Sequence, residues 1–312
     1  MKPTRREFLG WSAAAAAAAA GTTGLAAEAG ATEPVVDSHV HIWDLDKLQP
    51  PWLAGAGELN RNARWQEYKQ ASAGIDVVKA VYLEIDAAPS QFEQEAKLAI
   101  ELCRDPGNVF AGAVIGGRPA DDGFAAYIEP LAKDPAVKGV RQVLHGSTPA
   151  GTCLQPNFVR GVRKLGELGL SFDLCMRHAD IPDAATLVRN APDTSFVLDH
   201  CGNPPLFDDL AVWKRDIDRI AALPNVVGKV SGIIASAKGR SWKPDDLAPV
   251  IHHMLDAFGP DRVLFGGDWP VCTLGAPLKE WFDALALIVK DLPADRRRKL
   301  FHDNAIRVYR LT

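Results

Sequence analysis

Cysteine is scarce in this chain, basic charge is not in excess, and no glycine-rich phosphate loop follows the first predicted strand. The five cysteines (Cys103, Cys153, Cys175, Cys201 and Cys272) include no pair at metal-motif spacing. An odd number also argues against a complete disulfide framework. They read as small buried hydrophobes, with a single disulfide left open in an oxidising compartment. A net charge of −4 over 312 residues leaves no electrostatic footprint for nucleic acid or an anionic membrane surface. The longest basic run, Arg296-Arg297-Arg298-Lys299, is flanked by Asp295 and Asp303 and has the pattern of a solvated helix face. After residue 31 there is no apolar run fit to span a bilayer, no internal repeat and no low-complexity stretch.

What is present begins with a segment set apart from the rest. "TRREFLGWSAAAAAAAAG" joins a basic start to an apolar run, and "AEAG" at Ala27–Gly30 offers a small-x-small cleavage site. The pair Arg5-Arg6 followed by Phe8-Leu9 resembles a twin-arginine export signal. Residues 1–29 are therefore expected to be a cleaved signal and the protein to be periplasmic or secreted, with no membrane attachment after removal. The run is Ala-rich and short of the roughly 20 residues a retained anchor needs. Export by that route implies crossing already folded, often because a cofactor is loaded first.

From residue 30 onward the chain reads as one domain. Short β-rich runs start at Pro34, Lys79, Val109, Val137, Leu170, Ser195, Asn225 and Arg262, with amphipathic stretches between them. In "SQFEQEAKLAIELC" the residues Phe92, Ala96, Ala99 and Leu102 share a helical face, with Ser90 as N-cap and Glu93 completing a capping box. Repeated β-then-α units over this length predict a (β/α)8 TIM barrel. The rival, a doubly wound open sheet, calls for a GxGxxG loop, and "GGRPADDG" lacks that order.

A barrel carries its chemistry at the C-terminal ends of its strands. His39 and His41 lie at the end of the first, Glu84 at the second, Arg141 and then His145 at the fourth. His178, His200, Ser231 (with Lys229 two residues before it) and Asp268 follow in the fifth to eighth. Alternation along a strand points Asp37, His39 and His41 one way and Val36, Ser38 and Val40 the other. If the valines meet the helices, the histidines face the barrel axis, and closure sets Asp268 beside them. Taken singly, each residue has an ordinary reading: a hydrogen-bonded core histidine, a turn aspartate, a Glu84–lysine pair, an Arg141 salt bridge. Their convergence is what points to a site. His252, His253 and His302 fall on predicted helices, as surface or helix-end residues.

The motifs "VDSHVHIWD", "VKGVRQVLHG", "FVLDHCGNP", "VVGKVSG", "VLFGGDWPVC" and "NAIRVYRL", in order over residues 34–312, resemble the amidohydrolase superfamily. The branch is amidohydrolase 2, with its sugar-lactone and pyrone-dicarboxylate lactonases and decarboxylase relatives. The resemblance implies a barrel of the metal-dependent-hydrolase type. It implies Asp268 as the water-activating base, with His200 and His178 as further catalytic residues. Binuclear members carry a bridging lysine or glutamate on strand four, where this chain has Arg141, and an arginine cannot bridge two cations. The expectation is one divalent ion on His39, His41, Asp268 and His178, zinc by donor type or manganese, with metal-free operation left open.

Substrate contacts are assigned to Arg141, Trp43, Glu84 and His145. Trp43, Trp52 and Trp269 are each open to stacking on a sugar-like ring or to loop packing. The segment "DLDKLQPPWLAGAGELNRNARW" is a candidate lid. Asp37 lies deeper, and orienting a histidine is the most its position supports. The expected activity is hydrolysis of a cyclic ester, a sugar-acid lactone, by Asp268-activated water. The alternatives are decarboxylation of an unsaturated carboxylic acid and, further off, an inactive exported binding protein. The partner is a small-molecule substrate, and assembly into a homo-oligomer is left open.

Overall fold

Each of the eight β-rich runs forms a strand: β1 Val35–Val40, β2 Val77–Leu83, β3 Phe110–Gly116, β4 Val137–Leu144, β5 Ser171–Met176, β6 Ser195–Leu198, β7 Val226–Val230 and β8 Val263–Phe265. The computed structural model describes residues 33–312. The expected export signal, residues 1–29, lies outside them. The strands pair in sequence order, each neighbouring pair parallel. Closure from β8 back to β1 uses the segment after β8. Asp268 N–H donates to His39 O at 2.7 Å and His41 N–H to Trp269 O at 2.8 Å. Three of the four residues in these two bonds, His39, His41 and Asp268, are among those the strand-end argument singled out.

Helices α1 (Trp65–Ala71), α2 (Phe92–Arg104), α3 (Phe124–Leu131), α4 (Pro156–Glu167), α5 (Ile181–Asn190), α6 (Ala211–Ala221), α7 (Pro244–Phe258) and α8 (Leu278–Ile288) separate the strands and follow the last. Their apolar stripes explain the arrangement. In α4, Phe158, Val159, Val162 and Leu165 are buried at helical spacing, each such side chain contributing about 1.5–3 kcal/mol. The start of α2 differs from expectation. Pro89–Gln91 forms a 3-10 turn, Gln91 takes the cap position, and no side chain caps the helix. Pro89 opens a tighter turn before the α-helical spacing begins, so Ser90 is inside that turn rather than at the cap. No helix among the described residues is long and apolar enough to cross a membrane. The five cysteines are free thiols.

Two apolar layers result. The larger lies between sheet and helices. The smaller fills the barrel interior with Val36, Val81, Leu83, Val114, Val197 and Leu264, joined by Tyr309 and Leu311 from the segment after β8. Val36 therefore belongs to the interior, which strand alternation alone would have denied it. The β1–β2 register is irregular between Asp37 and Val40. This break changes the side-chain parity along β1. Val36 points inward before it, and His39 and His41 point inward after it. Asp37 turns outward to α1, where it accepts from Tyr68 Oη at 2.9 Å.

Candidate active site

Asp37 does not orient a histidine ring, as its place in the row suggested. It accepts the backbone N–H of His39 at 3.1 Å and of Gly267 at 2.7 Å, stitching β1 to the turn after β8. Position 267 has to be glycine, since a Cβ there would lie 2.4 Å from the Asp37 carboxylate. Burial pushes the Asp37 carboxyl up to about 6, against the opposing pull of these donors.

On the inner side of this seam three acceptors converge. His41 Nδ1–H donates to Leu83 O at 3.0 Å, which fixes the tautomer and leaves a lone pair on Nε2. That nitrogen lies 3.3 Å from Asp268 Oδ1. His39 Nε2 lies 3.5 Å from the same oxygen, while its Nδ1 faces Asp199 Oδ1 at 3.4 Å. Burial pushes the His39 imidazole well below its ordinary range, so it is neutral. Two ring nitrogens and a carboxylate facing one another make a donor set suited to a divalent cation. Ligands about 2.0–2.1 Å from a tetrahedral zinc are roughly 3.4 Å apart, close to the separations seen. The three residues thus fit a divalent ion. Arg141 Nη1, at 3.3 Å from His39 Nε2, brings a fixed positive charge to the same corner.

Asp268 sits in the left-handed region with φ +56°, which turns its carboxylate toward the histidines. Burial alone would raise its pKa. The three imidazoles around it, His200 first, outweigh burial and hold it at about 2. His200 also has positive φ, +54°. Ser231 Oγ accepts its backbone N–H at 3.3 Å and lies 3.0 Å from His200 Nδ1, which anchors the ring. With Nδ1 engaged by Ser231, Nε2 is the ring nitrogen left to meet a ligand. Gly232 gives the ring its space, since a Cβ there would lie 2.1 Å from Nδ1.

Beneath these groups runs a column of buried charges. Arg141 Nε donates to Glu84 Oε1 at 2.7 Å, its Nη2 to Glu84 O at 2.8 Å, and its Nη1 to Asp199 Oδ2 at 3.4 Å. Lys229 Nζ lies 2.8 Å from Asp199 Oδ1, 3.1 Å from Asp173 Oδ2 and 3.3 Å from His39 Nδ1. Tyr309 Oη donates to Asp173 Oδ2 at 2.8 Å. Burial pushes Asp173 up to about 6 even against Lys229. Among the described residues, two groups have ligand atoms close enough for an ion: His39, His41 and Asp268, and separately His39, Asp199 and His200. The Lys229 ammonium already serves the second.

Above the first group opens a cavity of about 600 Å³, lined by His41, Arg141, His145, His200 and Asp268 among others. His145 is half-buried there, and burial pushes its pKa down to about 4. Three sequence-based assignments are placed differently. His178 opens the 3-10 turn His178–Asp180, beyond the end of β5, and belongs neither to the cavity lining nor to either ion-sized group. Arg177 turns the chain there by bonding Asp180 and Thr148 O. Cys175 is the β5 residue that lines the cavity. Glu84 is fully buried, is engaged by Arg141 and the Asp86 N–H, and does not line the cavity, so its place is that of a residue positioning an arginine. Trp43 is buried, donates to Arg61 O at 2.6 Å and packs edge-on against Trp52, which itself lines the cavity. Trp269 packs on Tyr68.

Asp199 and Lys229 carry more of this arrangement than sequence spacing predicts, and Asp86 and Arg118 also line the cavity. Asp199 had a signal: it lies two residues after the inward Val197.

A family model described as amidohydrolase matches residues 36–311. An L-fucono-1,5-lactonase of Burkholderia multivorans is 29% identical over 296 residues, covering 88% of this chain and 96% of that protein. An L-rhamnono-gamma-lactonase of Scheffersomyces stipitis is 24% identical, covering 89% and 98%. The crystal structure of an amidohydrolase from Burkholderia multivorans with bound zinc superimposes with a TM-score of 0.79 at 27% identity, covering 89% of this chain and 99% of the other.

Proposed function

The chain belongs to the amidohydrolase family, and from that membership we propose that it is a hydrolase opening a sugar-acid lactone by attack of water activated at Asp268. The observation that carries the reading is the meeting of His39, His41 and Asp268 at one side of a cavity of about 600 Å³. The relatives named as lactonases support the substrate class.

His39, His41 and Asp268 would hold a divalent ion, zinc by this donor set or manganese, which when bound acidifies water and polarises a carbonyl. Asp268, ionised at neutral pH, accepts a proton from the attacking water. The water oxygen bonds to the lactone carbonyl carbon, the ring C–O bond breaks, and the proton held on Asp268 passes to the leaving alkoxide. His200, on the cavity wall, is the group proposed to steady the oxygen on which charge develops. Arg141, clamped by Glu84, keeps His39 in register. Export remains part of this proposal, supported by the Arg5-Arg6 pair and the apolar run after it. A panel of sugar lactones with acid release followed by a pH indicator tests the reaction. Release of carbon dioxide from an unsaturated acid, with every lactone left intact, would overturn it.

A further inference from the structure

We infer that Asp86 and Arg118 form a charge-cancelling pair on the cavity wall that selects lactones bearing hydroxyls over lactones bearing a carboxylate; the inference rests on the lactone-hydrolase reading above.

Both residues line the cavity, and neither belongs to an ion-sized group. Asp86 follows β2 and Arg118 follows β3. Arg118 Nη2 donates to Asp86 Oδ1 at 3.1 Å and Nη1 to Gly117 O at 3.3 Å. Its guanidinium carbon stands 4.8 Å from the centre of the Phe92 ring, which confines its plane. Asp86 has φ +48°, an uncommon conformation for a residue other than glycine, and its N–H donates to Glu84 Oε2 at 2.6 Å. The other oxygen of that carboxylate grips Arg141. A strained residue held in place on a cavity wall points to a task beyond packing.

The charges on the wall then cancel. Arg118 is met by Asp86, and Arg141 by Glu84 and Asp199. His145, pushed down to about 4 by burial, is neutral at pH 7. Away from Asp268 the wall offers a substrate carboxylate no free cation, and Asp86 repels one. The guanidinium N–H groups and the Asp86 oxygens lie side by side. That suits hydroxyls on adjacent carbons, each both donor and acceptor.

The test compares an aldonolactone with the aldarolactone of the same ring, which carries a terminal carboxylate in place of the hydroxymethyl group. The wild type is expected to favour the aldonolactone in kcat/KM by about tenfold or more. Asp86→Asn should move that ratio toward the aldarolactone by about tenfold, through KM, and adding Arg118→Gln should cancel the move. A second arm needs no turnover: calorimetry with the open-chain aldonate and aldarate. Aldarate is expected to gain affinity in Asp86→Asn, and the gain to fade with added salt. An unchanged ratio and unchanged aldarate affinity in a folded Asp86→Asn protein would overturn the inference. If the wild type opens no lactone while the aldarate gain persists, the lactone reading fails and the charge pairing stands.

Discussion

The Lys229 ammonium lies 2.8 Å from the Asp199 carboxylate, with both side chains fully buried. The same ammonium approaches His39 Nδ1 at 3.3 Å, so the chain supplies its own cation where the second group of ligand atoms would otherwise take an ion. Arg141 guards His39 from the other ring nitrogen. The imidazole is thus flanked by two fixed positive charges. Of the two ion-sized groups, Lys229 serves one, and the group with His41 and Asp268 is the one proposed for a single divalent ion.

Metal content follows from this geometry. The purified protein is expected to hold about one equivalent of divalent ion per chain. Chelation should abolish lactone opening and lower the melting temperature, and zinc should restore both. Elemental analysis before and after chelation is the check; two tightly held equivalents would contradict the role given to Lys229.

Asp268→Asn should lower kcat by about three orders of magnitude or more while leaving the fold intact, because asparagine tolerates the left-handed backbone at this position. The pH dependence has a definite sign. The folded pKa, about 2, lies below the ordinary 3.8, so this carboxylate contributes stability above the ordinary value that is lost as pH falls toward 2. Asp268→Asn should flatten that acid limb, read by denaturant titration at several pH values. Wild-type turnover by the variant on a verified lactone would end the mechanism.

Lys229→Met leaves Asp199 and Asp173 buried without their shared cation. Removing one partner of a buried pair costs about 3–5 kcal/mol. Asp199→Asn added to Lys229→Met should recover part of the loss, since the orphaned charge goes with it. Urea unfolding of the single and double variants measures both. A single variant as stable as the wild type would show that the column contributes nothing to folding.

Glu95, on α2, is fully buried. Its Oε1 accepts from Tyr82 Oη at 3.1 Å and Ile85 N–H at 2.8 Å, while Oε2 has no partner. Burial, helped by Glu84, raises its pKa from 4.5 to about 8. A raised carboxyl favours folding fully below its unfolded pKa, and that contribution is lost as pH rises toward 8. Glu95→Gln removes the titration. Its melting temperature relative to wild type should therefore improve between about pH 5 and about pH 8. A difference that does not change with pH would mean Glu95 is ionised in the fold.

The β-then-α rhythm was legible because β-branched runs and amphipathic stretches alternate throughout, and the strand-end rule then located His39, His41, His200, Asp268 and Arg141. What failed did so for local reasons. Alternation along β1 holds only until the register breaks after Asp37, and no residue type announces that break. His178 lies past the end of β5, a boundary set by Arg177 bonding across the turn. Trp43 and Trp52 differ by which one the folded segment turns inward, a matter of tertiary packing. Glu84 and Asp199 are spent on Arg141 and Lys229, pairings between strands that sequence spacing does not encode.

Tyr309 and Leu311 come after every strand in the chain, yet they join the interior cluster, and the Tyr309 hydroxyl bonds Asp173. The end of the chain is thus the stopper of the barrel: Asp173 and, through it, Lys229 are sealed by residues that no strand supplies.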